Sequence, residues 1–138
     1  MYTSDIQIRV RYAETDQMGY VYYGNYAAYF EVARTEAFRD LGFSYKALEA
    51  TGIGMPVAEM GTRFRRPARY DDLLTVRLLI RKPARGASVL FEYEVYNEAQ
   101  ELLTEGHTLM VFMRSATGRP VPVPAEVTEK LAPYFAES

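Results

Sequence analysis

The chain has 138 residues, 49% of them hydrophobic and 25% charged, with a formal net charge of −2. That length suits one domain that buries roughly 70% of the surface its unfolded chain exposes, and the small net charge gives no global attraction to nucleic acid or membrane. There is no cysteine, which excludes disulfides and thiolate chemistry and is compatible with a reducing compartment.

The opening MYTSDIQIRV alternates in place of running apolar, so no signal peptide is expected. No stretch approaches the roughly 20 apolar residues that span a bilayer, and the expected location is the cytoplasm. From Asp5 to Tyr12 the residues Ile6, Ile8, Val10 and Tyr12 share one face, with Gln7, Arg9 and Arg11 on the other, which predicts a half-buried strand. At Asn25 the period changes: Tyr26, Phe30, Ala33, Ala37 and Leu41 recur every three or four residues. Asn25 suits an N-cap and Gly42 the residue after the last turn, so the predicted helix runs from about 25 to 41. GIGMPVAEMG (52–61) lacks phosphate-loop spacing and reads as a loop, with strand character beginning at Val57.

Strands are then predicted over Val57–Arg66, disturbed by Pro67, and over Leu73–Lys82, Val89–Tyr96 and Leu102–Met113. NEAQE (97–101) supplies a hairpin turn. GRPVPVP is extended, and Ala125–Ala136 forms a short terminal helix. One strand, one long helix and four consecutive strands predict an α+β chain whose antiparallel sheet of about five strands curves around the helix. The expected unit is one domain over 1–138, with its core at about 5–114. Unpaired sheet edges and leftover apolar residues call for a second copy of the chain.

The available chemistry narrows by elimination. His107 is the only histidine, so a zinc site or a Ser/His/Asp triad within one chain is not expected, and His107 itself reads as structural or exposed. No G-x-S-x-G, P-loop or G-x-G-x-x-G motif occurs. Asp16, between the first strand and the helix, has two readings. It can close an Asx-turn on nearby backbone N–H groups. It can also react, if Met18, Tyr20, Val21, Tyr22 and Tyr23 desolvate it and the helix head offers unpaired N–H groups to a developing oxyanion. Gly24 would let a ligand approach the backbone. A carboxylate and a helix N-terminus together suit acyl transfer to water, without metal or cofactor.

The stretch YAETDQMGYVYYGNYAAYFEVAR (12–34) resembles the signature segment of hotdog-fold acyl-CoA thioesterases, in the 4-hydroxybenzoyl-CoA thioesterase and YbgC-like branch. FRRPARYDDLLTV (64–76) and RGASVLFEYEVYNEAQELLTEG (85–106) are similar to later segments of that family, so the resemblance covers most of residues 5–114. It implies a hotdog fold, with a five-stranded antiparallel sheet wrapped around one long helix, and hydrolysis of an acyl-CoA or acyl-carrier thioester. It also implies homodimers or homotetramers with sites at the subunit interface. By resemblance Asp16 is the catalytic carboxylate, as nucleophile or general base. The Tyr23 backbone N–H polarises the thioester carbonyl, and Gly24 and Asn25 form the helix start. Many YbgC-like members carry histidine where this chain has Tyr23, whereas the hydroxybenzoyl branch has tyrosine.

Residues 63–85 hold eight of the 16 Lys/Arg, against only Asp71 and Asp72. They form either a solvated strand face or a cradle for the CoA phosphates; nucleic acid is the weaker reading in a net-acidic chain. By resemblance Lys82, Arg85, Gly86 and Ser88 meet the nucleotide end of the substrate, while Tyr20 and Tyr22 are candidates for the acyl pocket. Alternatives at this point are a non-catalytic acyl-thioester-binding or scaffold protein and a hotdog dehydratase or hydratase.

Overall fold

The structure is a computed structural model and describes residues 1–136. In chain order the elements are β1 (Tyr2–Arg9), α1 (Asn25–Leu41), α2 (Tyr45–Ala50), β2 (Ile53–Gly54), β3 (Val57–Phe64), β4 (Leu73–Ile80), β5 (Ser88–Tyr96), β6 (Leu102–Val111), β7 (Met113–Arg114), β8 (Arg119–Pro120) and α3 (Ala125–Leu131). Five strands form one antiparallel sheet in the order β1-β4-β5-β6-β3, and β2, β7 and β8 form a small ribbon beside it.

The alternating residues of the central strands all turn toward α1. Leu74, Val76, Leu78 and Ile80 on β4, and Val89, Phe91, Tyr93 and Val95 on β5, are buried. Ala33 and Ala37 present small side chains that let the sheet come close to the helix. Near the middle Phe30 stacks on Tyr93, with ring centroids 4.2 Å apart. Gly106 lies under the same ring, and a Cβ there would stand 2.7 Å from Phe30 Cζ. Each fully buried aromatic of this kind contributes roughly 1.5–3 kcal/mol.

The boundaries depart from the sequence expectations where local turn chemistry intervenes. β1 begins at Tyr2 and ends at Arg9, not at Tyr12. Val10 still pairs with the backbone of Asp71 and Asp72, but Arg11 and Glu14 then tie the chain into a one-turn 3₁₀ helix over Tyr12–Glu14. Tyr12 consequently leaves the inner face and is 77% exposed. Asn25 does not cap α1: it is the first helical residue, Gly24 precedes it without a side-chain cap, and its side-chain amide donates to the Glu14 carbonyl at 2.8 Å. Gly42 does end the helix in the left-handed conformation, φ 89°.

The segment expected to be a plain loop contains α2, whose first turn is capped by Ser44 Oγ accepting the Ala47 N–H. GIGMPVAEMG includes β2 and the start of β3. The terminal helix stops at Leu131 and tightens into a 3₁₀ turn over Ala132–Tyr134, where Pro133 removes a backbone donor. Among the described residues no helix is long and apolar enough to cross a membrane.

β3 is an edge strand, hydrogen-bonded only to β6 in the sheet. Val57, Met60 and Phe64 on it are 44%, 42% and 51% exposed. An open ladder carrying large apolar side chains is a surface that natural sheets cover.

Candidate active site

The loop from Arg11 to Gly24 joins β1 to α1 and folds back on itself through backbone bonds. The Asp16 N–H donates to Tyr20 O at 2.8 Å, and the Gly19 N–H returns to Asp16 O at 3.0 Å. Asp16 Oδ1 accepts the N–H of Met18 at 2.9 Å and of Tyr20 at 3.2 Å. The Asx-turn reading of Asp16 is therefore correct as geometry. It engages one carboxylate oxygen, and Oδ2 has no partner among the described residues.

Past the turn the loop docks on the segment before β4. Tyr20 bridges Arg69, whose guanidinium lies 4.9 Å from the Tyr20 ring centroid, and the Val21 N–H donates to Ala68 O at 2.8 Å. The Tyr22 N–H donates to Glu14 O at 2.9 Å, which brings the chain to the head of α1. There the N–H groups of Tyr23 and Gly24 have no acceptor among the described residues. Gly24 has an ordinary φ of −64°; a Cβ there would sit 2.7 Å from the half-exposed Tyr22 ring, which would have to shift to admit it.

Asp16, Tyr20, Tyr23, Tyr26, Phe64 and Pro67 line a cleft of about 370 Å³. Its inner wall is aromatic, with Tyr26 and Phe64 edge to face at 5.4 Å. Asp16 and Tyr23 thus line one cleft, at the end of a seventeen-residue helix whose dipole favours negative charge there. Such an arrangement can deliver a carboxylate to a carbonyl carbon and stabilise the oxygen that becomes negative.

Two expectations about this site need correction. Met18 and the tyrosines do not desolvate Asp16 within one chain: Asp16 is exposed, and Met18, Tyr22 and Tyr23 are 68%, 47% and 66% exposed. The turn stands outside the sheet and is open to solvent in the single chain. Tyr22 packs on Tyr23, with centroids 4.5 Å apart, and against Gly24; it does not line the cleft. Its phenol is pushed up by the hydrogen bond to Tyr23 and is no base at neutral pH.

Lys82, Arg85, Gly86 and Ser88 are not brought to the cleft in one chain. The register pairs Arg9 with Leu73 and Tyr2 with Ile80, so the 81–88 turn lies at the far end of β4, roughly 20 Å or more away. Of the eight basic residues over 63–85, Arg65, Arg66, Arg77 and Arg81 pair with Glu105, Glu101, Asp5 and Glu92 on neighbouring strands or turns. For these four the solvated-face reading holds. His107 Nε2 lies 3.1 Å from Glu59 Oε2, to which its N–H donates, on the outer face of the sheet and away from Asp16.

Sequence reasoning missed Tyr26, Phe64 and Pro67 as cleft residues. The stretch FRRP was visible, but nothing local indicates that β3 ends beside the head of α1. No cluster of three or more His, Cys, Asp or Glu side chains suited to a metal occurs among the described residues.

One long helix lying along an antiparallel sheet of this order, with a cleft at the helix head, is the hotdog fold. The chain belongs to the thioesterase-like superfamily, whose profile matches residues 10–131. It is 35% identical over 120 residues to the acyl-CoA thioester hydrolase YbgC of Escherichia coli O157:H7, covering 87% of this chain and 89% of that one. The YbgC acyl-CoA thioesterase of Haemophilus influenzae is 31% identical, over 87% of this chain and 88% of its own. Among solved structures, a DHNA-CoA thioesterase from Staphylococcus aureus superposes with a TM-score of 0.85 at 36% identity, covering 98% of this chain and 85% of that one.

Proposed function

We propose that this chain is an acyl-CoA thioesterase, hydrolysing an acyl-CoA to a carboxylate and free CoA. The observation that carries the reading is the cleft lined by both Asp16, with one carboxylate oxygen unpartnered, and Tyr23, with an unpaired N–H at the head of α1. The thioester carbonyl oxygen accepts the N–H of Tyr23, with that of Gly24 beside it. As general base, Asp16 takes a proton from water while the water oxygen attacks the carbonyl carbon. The oxyanion is held by the two N–H groups and the helix dipole. Its collapse breaks the C–S bond, and the departing thiolate takes the proton back from Asp16. As nucleophile, Asp16 attacks the carbonyl carbon, and the C–S bond breaks to expel CoA thiolate and leave a mixed anhydride. Water then cleaves that anhydride to the acyl carboxylate and a free Asp16 carboxylate, the water's two protons going to the thiolate and to solvent. Both routes need only the groups present.

The reading includes a homo-oligomer, at least a dimer and on resemblance a tetramer. It is supported by the exposed apolar edge of β3 and by the open side of the cleft. Lys82 and Arg85 hold the CoA phosphates, with Gly86 and Ser88 shaping their turn. Their distance from Asp16 in one chain supports a reading in which the same turn of a second copy serves each cleft. The compartment that fits is the cytoplasm, where CoA thioesters are made and consumed.

Thiol release from a panel of short, long, branched and aromatic acyl-CoAs, followed with a thiol reagent, tests the reading. Turnover of at least one class is expected. Binding of acyl-CoA without thiol release across the panel would make the protein a binder and overturn it.

A further inference from the structure

Two residues before Asp16, Glu14 has a carboxylate that the proposed chemistry does not use. Its side chain is only 12% exposed. Oε1 accepts the Arg11 backbone N–H at 2.8 Å and the Tyr29 hydroxyl at 3.0 Å. Oε2 accepts the Arg11 guanidinium at 3.0 and 3.3 Å. The Glu14 carbonyl is engaged as well, by the Tyr22 N–H at 2.9 Å and the Asn25 side-chain amide at 2.8 Å. One residue thus bonds the exit of β1, the segment just before α1, and the first two turns of α1 itself.

Asp16 has no such anchor. Its side-chain bonds are to Met18 and Tyr20, within its own turn, and none reaches α1. The separation between the Asp16 carboxylate and the N–H groups of Tyr23 and Gly24 therefore depends on how the loop is seated, on the segment before β4 through Tyr20 and Val21 and on the helix through Glu14. Glu14 is where loop and helix are bonded by a side chain. The Tyr29 bond ties the carboxylate to a side chain one turn inside α1 that is 2% exposed.

Resting on the role assigned to Asp16 above, we propose that Glu14 is a positioning residue for thioester hydrolysis, holding the Asp16 turn at the head of α1. Carboxylate and oxyanion donors then face the same carbonyl. Positional errors of about 1 Å in such an arrangement cost roughly 10²-fold in rate, which sets the expected scale. Burial works against a charged Glu14, but the Arg11 N–H, the Arg11 guanidinium and the Tyr29 hydroxyl outweigh it and hold the carboxyl below its ordinary value. The anchor is ionised at neutral pH.

The test compares kcat, KM and Tm of the parent, Glu14→Ala, Glu14→Gln, Tyr29→Phe and Asp16→Asn on one acyl-CoA substrate, with amide exchange of Met18, Tyr20 and Tyr22. Glu14→Ala should lower kcat by about 30- to 100-fold with KM within about threefold, and the three amides should exchange faster. Glu14→Gln keeps an acceptor for Arg11 and Tyr29 and should recover most of that loss. Tyr29→Phe should cost less than Glu14→Ala, about three- to tenfold in kcat.

A disabled Asp16→Asn beside a Glu14→Ala with kcat within threefold of the parent overturns the positioning role alone. Parental kcat in Asp16→Asn overturns the Asp16 assignment and the role of Glu14 with it. Losses in kcat and KM that merely track a fall in Tm overturn positioning in favour of a structural part. Should Glu14→Ala not fold, parental kcat in both Glu14→Gln and Tyr29→Phe overturns it as well.

Discussion

At the Leu73 end of β4 the loop over residues 11–24 leaves a carboxylate oxygen and the helix-head N–H groups without partners, whereas at the Ile80 end the turn over 81–88 is closed on itself and onto the chain after β6 by backbone bonds. In the first, Asp16 Oδ2 and the N–H groups of Tyr23 and Gly24 are unpaired among the described residues. In the second, Arg85 and Ser88 exchange two backbone bonds at 3.0 Å. The carbonyls of Gly86 and Ala87 accept the N–H groups of Val123 and Phe112 at 2.9 and 2.8 Å. What that turn presents to solvent is charge: Lys82 and Arg85 form no ion pair with the described residues. Fixed dipoles and a fixed carboxylate serve a reacting centre, where direction decides the rate. Mobile cationic side chains serve a remote anion, where charge alone is enough.

The sharpest way to break this contrast is Asp16→Asn. The amide keeps an oxygen for Met18 and Tyr20, so the turn should survive while the base is lost. The expected fall in kcat is on the order of 10²- to 10⁴-fold, with KM little changed. A kcat within about threefold of the parent, in the same thiol-release assay, would reduce Asp16 to its Asx-turn.

Next in size comes a change that belongs to neither end. Phe30→Ala removes the ring between Tyr93 and Gly106 and should destabilise the fold by about 3–5 kcal/mol, read from urea denaturation. A loss below about 1 kcal/mol would mean that the middle of the sheet does not depend on this stack.

Smaller again is the effect at the basic turn. Lys82→Ala or Arg85→Ala should raise KM about tenfold and leave kcat nearly intact, because a remote contact binds ground and transition states alike. The effect should vanish on an acyl-pantetheine substrate that lacks the nucleotide. Equal losses on both substrates would assign the turn a structural part only.

The smallest effect concerns Glu14 and acid. Its carboxyl titrates below the ordinary value, so its stabilisation is complete above the unfolded-state pKa and is lost as pH falls through the native one. The Tm difference between the parent and Glu14→Gln should be full above about pH 5 and should close below about pH 4. A difference that stays constant through that range would mean that the charge is not what Arg11 and Tyr29 hold.

Much of the framework was legible locally, and the limits have physical causes. The spacing of Tyr26, Phe30, Ala33, Ala37 and Leu41 marks α1 because its buried stripe repeats with the helix period. β4 and β5 were visible because their inner residues alternate against a single helix. α2 escaped notice because six residues carry too little periodicity, and the end of β1 because Tyr12 keeps the alternation after Arg11 and Glu14 have turned the chain. The Asp16 turn and the helix head were readable because they lie within ten residues of each other. Glu14 was not, since its decisive partner Tyr29 lies fifteen residues on. Nor was the distance to Lys82 and Arg85, which depends on the long-range register of β1 against β4.

That register has a consequence for the order in which the protein assembles. Asp5 pairs with Arg77 across 72 residues, and β3 must wait for β6. Contacts so distant in sequence are slow to form, because loop-closure entropy opposes them before they return any stabilisation. α1 can nucleate early on local bonds and offers Glu14 its Asn25 and Tyr29 contacts, but the second dock of the loop that carries Asp16, on Ala68 and Arg69, must wait until those residues have been synthesised and β4 has found β1. On the ribosome, the reactive end of the molecule is among the first segments made and among the last to take shape.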